Sequence, residues 1–236
     1  MFGFYVASNR YSQKVQKVQK LIQETSYNVL SLGEITKAIF RLQRFSRVWA
    51  NNPEAGHPYM APTDVFYFKP LRERENTEKA YVTKNKHSSR SSLKLAEGSD
   101  IEELSLEGEK KFFVKSGWIL VTCSGTVGRV MLVQESLEKY FLSHDIIRIV
   151  PKEDTFEGYL YAYLDSYLGQ TLLKRDEYGG WTQHIEPSHV NSLPVILPPK
   201  EKQKRIHNKV LEAFKAREEF LQKEEDAEGF LSKIIS

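Results

Sequence analysis

Apolar positions at the start of the chain recur at steps of four, three and four: Tyr11, Val15, Val18 and Ile22, separated by Gln and Lys. That spacing predicts a helix over residues 10–24 with a narrow apolar stripe, the seam of a helix pair rather than the broad face of a buried helix. At about two heptads it is too short to stand alone and needs a partner. From Tyr27 the pattern is mixed and turn-rich. Ser31 followed by Glu34 is a capping box, predicting a short helix from Ser31 to Phe40. Turn formers fill 50–62 and lead into Val65, Phe66, Tyr67 and Phe68, a strand-like run closed by Pro70. Apolar, strand-prone runs at 112–122 and 128–133 flank Cys123-Ser124-Gly125-Thr126-Val127, which predicts a hairpin or tight bend. Residues 145–150 form a further strand, ended by Pro151, and 156–174 form an amphipathic helix despite Gly169. After Gly179-Gly180 come a turn, a short helix or loop and a last short strand.

The pattern changes again at Pro199. Residues 199–228 contain no further Gly or Pro and alternate Lys and Glu densely, with Ile206, Val210, Ala213, Phe214, Phe220 and Leu221 along one side. This predicts a long helix, about 45 Å at 1.5 Å per residue, with Gly229 as its end and an apolar tail beyond. Arg217 on the same side breaks a strict heptad. The resulting layout is helix (1–26), body (27–198), and long helix with tail (199–236). The fold class is α+β, with antiparallel-rich strands flanked by an N-terminal and a C-terminal helix.

Composition narrows the picture. Of 236 residues, 40% are hydrophobic and 28% charged, with 13 Phe, 12 Tyr and 3 Trp, enough to build a core. One cysteine, Cys123, excludes an internal disulfide framework and a multi-cysteine zinc site. No apolar run is long enough for a membrane span, and residues 1–14 do not resemble a signal peptide, so a soluble, cytoplasmic protein without a membrane partner is expected. Net charge is only +3, but it is unevenly placed: residues 1–95 hold 16 Lys+Arg against 7 Asp+Glu, and 96–236 hold 18 against 24. Such an asymmetry suggests a positive face turned towards a polyanion. Two clusters carry it: Arg41, Arg44 and Arg47 at steps of three, and Lys84, Asn85, Lys86, His87, Arg90 and Lys94, interleaved with serines. Cations mixed with small hydroxyl and amide donors suit phosphate oxygens and base edges alike. The plainer alternative is a solvated face with a polar loop, followed by an acidic loop from Glu97 to Glu109.

From Tyr27 onward the order of segments resembles the specificity subunit of Type I restriction-modification systems, specifically one target-recognition domain and its following conserved helix. The resemblance rests on five pieces in order: 27–35, 56–65, the strand, Ser-Gly-Thr-x-Gly turn and strand of 117–133, 142–151, and the exit at 179–206, where Leu197-Pro198-Pro199 precedes Gln203 and Ile206. The resemblance implies a subunit without catalysis or cofactor of its own. Its recognition domain reads one half of a split site on double-stranded DNA, and its helices space the readers and dock DNA methyltransferase (modification) subunits and, through them, a restriction subunit. Family members carry two such domains and this chain has room for one, so a half-size subunit, half of a duplicated protein or a fragment is expected, with a second copy associating through the terminal helices.

Candidate site residues follow from both lines. Arg41, Arg44, Arg47, Lys84, Lys86, Arg90 and Lys94 suit phosphate or guanine, while Asn85 and Gln183 suit adenine. Trp181 and Thr182 flank the Gly-Gly turn with Tyr178. Gly125 opens a turn through which backbone N–H groups reach a phosphate beside Arg129. For docking, Val15, Val18 and Ile22 of the first helix and Ile206, Val210, Ala213, Phe214 and Leu221 of the last are the candidates; the alternative is that the two helices pack on each other. Other chemistry fits poorly. Asp100 with Glu109-Lys110-Lys111 matches only the loosest outline of a magnesium-dependent nuclease. Leu197-Pro198-Pro199-Lys200 lacks the polar and aromatic ends of a methyltransferase loop, and Gly125–Gly128 lacks the lysine of a P-loop. His184 and His189 have too few neighbours for a metal site, and Cys123 is flanked by strand residues like a small core residue. A protein-interaction module with an incidental basic face is the rival from another class.

Overall fold

The computed structural model describes residues 13–65, 80–83, 92–175 and 183–235. Its largest sheet has five antiparallel strands in the order β6-β2-β10-β7-β8: β2 (Thr36–Leu42), β6 (Leu93–Leu95), β7 (Ile119–Thr122), β8 (Val130–Leu132) and β10 (Ile146–Pro151). The central strand β10 is buried from Ile146 to Val150, so it reads as a nearly continuous apolar run instead of alternating. A second sheet, β3-β5-β4-β9, joins β3 (Trp49–Ala50), β4 (Gly56–Met60), β5 (Tyr81–Thr83) and β9 (Phe141–Leu142), with β4 and β9 parallel. It covers an aromatic cluster in which Phe112 stacks on Phe141 at 4.1 Å and Phe45 meets both edge-on. A two-stranded ladder of β1 (Asn28–Ser31) and β11 (Pro194–Leu197) ties the beginning of the body to its end.

Six helices complete the described fold: α1 (Gln13–Glu24), α2 (Pro62–Val65), α3 (Glu157–Asp165), α4 (Tyr167–Arg175), α5 (Pro187–Asn191) and α6 (Lys200–Ile235). The architecture is α+β and antiparallel-rich, as the sequence predicts, and the hairpin β7–β8 pairs Val121 with Val130. Several elements differ from expectation. The capping box at Ser31 forms, but it closes a single 3-10 turn (Leu32–Ile35) and the chain then extends into β2. Thr36, Ala38, Phe40 and Leu42 alternate onto one buried face there, so the period-two pattern overrides the helix start. The strand-like run at Val65 is the end of helix α2, while the turn-rich stretch before it supplies strand β4; residues 66–68 lie outside the described set.

The helix expected over 156–174 is two helices with a corner at Ser166. The Ser166 N–H bonds Ala162 O, and its Oγ accepts from Gly169 N–H, so Ser166 ends one helix and caps the next. Gly169 makes the corner: a Cβ there would lie 2.3 Å from Tyr163 O. Gly229 does not stop the last helix, which runs on to Ile235. Gly ends a helix by adopting positive φ, and Gly229 is not among the positive-φ glycines, so it stays helical at a cost of about 1 kcal/mol relative to Ala.

The terminal helices dock on the body. α1 packs on α4 and α6 on α3. Val15 and Val18, expected to face a protein partner, are buried in this chain's own structure, and Ile22 packs half-buried against the same core. The short stripe finds its helix partner intramolecularly, as its length requires. On α6 the line turned to the body is Gln203 and Phe214, both buried, with His207, Val210 and Leu211 half-buried between them, and the Phe214 ring is 5.1 Å from Tyr161. Val210 and Phe214 therefore serve the core, whereas Ile206 and Ala213 are exposed and Leu221 is half-buried. Beyond the body the helix exposes Phe220, Phe230, Leu231, Ile234 and Ile235.

Candidate nucleic-acid interface

Antiparallel pairing gathers four segments at one end of the five-stranded sheet. β2 and β7 both run against β10, with Arg41 opposite Ile147 and Thr122 opposite Ile146. The loop leaving β2, the turn leaving β7 and the residues entering β10 therefore meet. The segment 183–186 joins them, because Gly125 N–H donates to Gln183 O at 3.1 Å and Ile185 N–H to Cys123 O at 3.1 Å. Between them lies a cleft of about 670 Å³ lined by Arg41, Arg44, Phe45, Ser46, Arg47, Cys123, Ser124, His144, Asp145, His184, Ile185 and Glu186.

Charge on the inner wall is balanced through the strand register. Arg41 on β2 stands directly beside Lys94 on β6, two cations on neighbouring strands. Like charges so placed repel, and Glu186 answers both: its oxygens accept from Arg41 Nε at 2.8 Å and Nη2 at 3.0 Å, and Lys94 Nζ lies 3.2 Å away. Glu186 in turn is fixed as the N-cap of α5, where its N–H donates to His189 Nδ1 at 3.2 Å. The Arg41 fork, on which contact with a guanine is expected, is thus engaged by both oxygens of Glu186, and Arg41 and Lys94 share that one carboxylate. His189 is a capping residue. Among the described residues no group of three His, Cys, Asp or Glu side chains is arranged to hold a metal ion.

Arg47 is also engaged. Its Nη2 donates to Ser143 Oγ at 3.1 Å and lies 4.0 Å from Asp145 Oδ2, while its guanidinium carbon sits 5.1 Å from the centre of the Tyr59 ring. Arg44, between Arg41 and Arg47, is exposed on the lip of the cleft. His144 is buried against Phe45 with its Nε2 3.5 Å from Asp145. Burial lowers its pKa, Asp145 opposes that shift, and Arg47, Arg44 and Arg41 reinforce it, so the ring is held neutral. Burial pushes the Cys123 thiol up to about 12, which keeps it an inert core thiol rather than a nucleophile.

Beneath this turn lies Arg148, fully buried on β10. Its Nη1 donates to Ile146 O at 2.8 Å, and Nη1 and Nη2 both reach Ser143 O at 3.3 Å. The guanidinium pins the 143–146 turn that carries His144 and Asp145, and burial draws its pKa down to about 10. At the other side of the cleft, the turn after β7 takes positive φ at Gly125 (74°) and Gly128 (84°). Thr122 Oγ1 accepts from Arg129 N–H at 3.0 Å, and Gln170 Nε2 donates to Gly128 O at 2.6 Å, leaving the Arg129 side chain exposed.

The structure therefore brings together Arg41, Arg44, Arg47, Lys94, Gly125 and Gln183 around or beside one cleft, with Arg129 on the adjoining turn. Lys84, Asn85, Lys86, Arg90, Trp181 and Thr182 lie outside the described residues. Sequence reasoning missed the acidic half of the cleft, Asp145 and Glu186, and the buried Arg148. A carboxylate immediately before Pro187 at a helix start was a visible signal for Glu186; nothing local marked Arg148. The loose nuclease outline dissolves, since Glu109 pairs with His57 (3.3 Å) and Asp100 accepts from Glu102 N–H at the head of a 3-10 turn.

Three solved proteins resemble this chain over most of its length. The HsdS subunit from Thermoanaerobacter tengcongensis superposes with a TM-score of 0.48 at 13% identity, covering 88% of this chain and 46% of that one. The Type I restriction-modification S subunit from M. genitalium does so at 0.47 and 17%, covering 85% and 42%. The type IIG restriction endonuclease BpuSI reaches 0.51 at 10% identity over 86% of this chain and 28% of its own, a likeness of fold. The chain spans about half the length, or less, of these solved proteins. No curated protein matches its sequence. The model of one family, the Type I restriction modification DNA specificity domain, matches residues 63–227, well over half of the chain. This protein belongs to that family.

Proposed function

We propose that this chain is a DNA-recognition subunit of a Type I restriction-modification system, which selects the site at which partner subunits act and makes or breaks no bond itself. The family match over 63–227 carries the proposal. The cleft supports it through exposed Arg44 and Arg129, which neutralise phosphates; base edges in the major groove are read by Gln183 and by Lys84, Asn85, Lys86, Arg90, Trp181 and Thr182, which are named from the sequence alone. Arg or Lys would favour guanine there, and Asn85 or Gln183 adenine. The apolar far end of α6, with Phe220 and Phe230 exposed, supports docking of methyltransferase and restriction subunits and association with a second copy through that helix. Two copies would set two half-site readers at a fixed separation. No described helix is long and apolar enough to cross a membrane, and a cytoplasmic setting goes with this reading.

Selection from a randomised duplex pool by the chain assembled with its modification subunits tests the proposal. One defined sequence should be enriched, as one half-site or as two halves at constant spacing. A pool that stays random would overturn it.

A further inference from the structure

The face of α1 left outside the core is cationic. Lys14, Lys17 and Lys20 follow one another at steps of three and all are exposed, and no Asp or Glu occurs between Gln13 and Gln23. Glu24 closes the helix, 3.6 Å from Lys20. On a helix this spacing lays the lysines in a row that starts beside the buried Val15–Val18 stripe at Lys14 and crosses to the outer face by Lys20, while Gln16, Gln19 and Gln23 take the other flank. With the stripe consumed inside the chain, what α1 offers a partner is mostly ammonium and amide groups, with Leu21 the exposed apolar side chain among them.

That row connects, element by element, to the cleft. α1 packs on α4, whose last turn carries Lys174 and Arg175. The Lys174 stem crosses the turn after β7, with its Cε 3.8 Å from the position a Cβ on Gly128 would take, and Gln170 from the same helix holds Gly128 O. Arg129 comes next in the chain and is exposed, and Ser124, four residues before Gly128, lines the cleft with Arg44 and Arg47. The succession Lys14, Lys17 and Lys20, then Lys174, then Arg129, then Arg44 is built from flexible or solvent-facing cations on contiguous elements.

We infer that α1 and the end of α4 form a second polyanion-binding surface, continuous with the cleft, whose partner is the sugar-phosphate backbone of duplex DNA flanking the bases being read. The inference rests on the DNA-recognition reading and adds to it a sequence-independent grip outside the recognition cleft. Lysines on long stems beside glutamine amides meet phosphates without base preference, so this surface contributes affinity and salt dependence and leaves specificity to the cleft.

The test uses the full chain, a mixed-sequence duplex of about 40 bp and one of about 12 bp, little more than a helical turn. Lys14→Gln, Lys17→Gln and Lys174→Gln are combined in one variant; all three side chains are exposed, and an unchanged thermal midpoint verifies folding. On the long duplex the log-affinity against log-salt slope should fall in magnitude by about 2 to 3, close to 0.9 for each phosphate no longer neutralised. On the short duplex variant and wild type should coincide, and the corresponding Lys→Arg variant should restore the wild-type slope on the long one. An unchanged slope on the long duplex, or equal losses on both lengths, overturns the inference while leaving DNA recognition intact. Absence of salt-dependent binding by the wild type on either duplex overturns the underlying reading as well.

Discussion

On the inner wall of the cleft, Arg41 gives both oxygens of Glu186 a donor and Lys94 shares the same carboxylate; on the lip, three residues later, Arg44 stands exposed. The residue type is the same, and the surroundings assign it opposite work. A paired, half-buried guanidinium holds strands and a helix start in register, while an exposed one keeps its charge available to a ligand. Arg148 is the extreme of the first kind, a buried cation whose partners are backbone carbonyls of the turn above it. The lesson is that a positive cleft is not the sum of its cations: part of the charge builds the shape and another part meets the polyanion.

Breaking the deepest of these supports should have the largest effect. Arg148→Ala empties core volume and strips Ser143 O and Ile146 O of their donor, so chemical denaturation should show a loss of about 4 kcal/mol. Arg148→Met, which keeps the volume, should recover part of it. A loss below about 1 kcal/mol for the alanine variant would mean the turn does not hang from this residue.

Glu186→Gln comes next and separates the two roles by sign. Removing the carboxylate leaves Arg41 and Lys94 side by side without a counter-charge and should cost about 2 kcal/mol of stability. Affinity for mixed-sequence duplex at low salt should nevertheless rise, because a negative charge has left the cleft. Stability and affinity falling together would place Glu186 against the DNA instead.

Arg44→Gln should leave stability within about 0.5 kcal/mol of wild type and lower the salt slope by about 0.9. The smallest effect is expected at His144. Its folded pKa is depressed by burial, so as pH falls below the ordinary histidine value, near 6.5, the unfolded chain takes up a proton that the folded ring refuses. Stability on that side therefore declines with falling pH, and His144→Gln should remove this residue's share, measured as a flatter change in denaturation midpoint between neutral and mildly acid solution.

Much of the fold is legible in the sequence where local pattern and burial agree. The β7–β8 hairpin announces itself by two apolar runs around Ser124–Gly128, and the long helix by its unbroken Lys/Glu alternation. Expectation fails where a local signal competes with a wider one. At Ser31 the capping box is real, but the alternation of Ala38, Phe40 and Leu42 wins after one turn. At Gly169 a helix weakener marks a corner that only a residue without Cβ fits. For the site, the arginines at 41, 44 and 47 could be found by charge alone, but which of them is occupied depends on Glu186, 145 residues from Arg41, and on Asp145 and Ser143 beside Arg47, pairings no local pattern carries.

The central claim, that this chain grips a duplex with part of its positive surface, is met most directly by titrating mixed-sequence double-stranded DNA at increasing salt. With about six phosphates neutralised, log affinity should fall against log salt with a slope near −5. A flat response would contradict it.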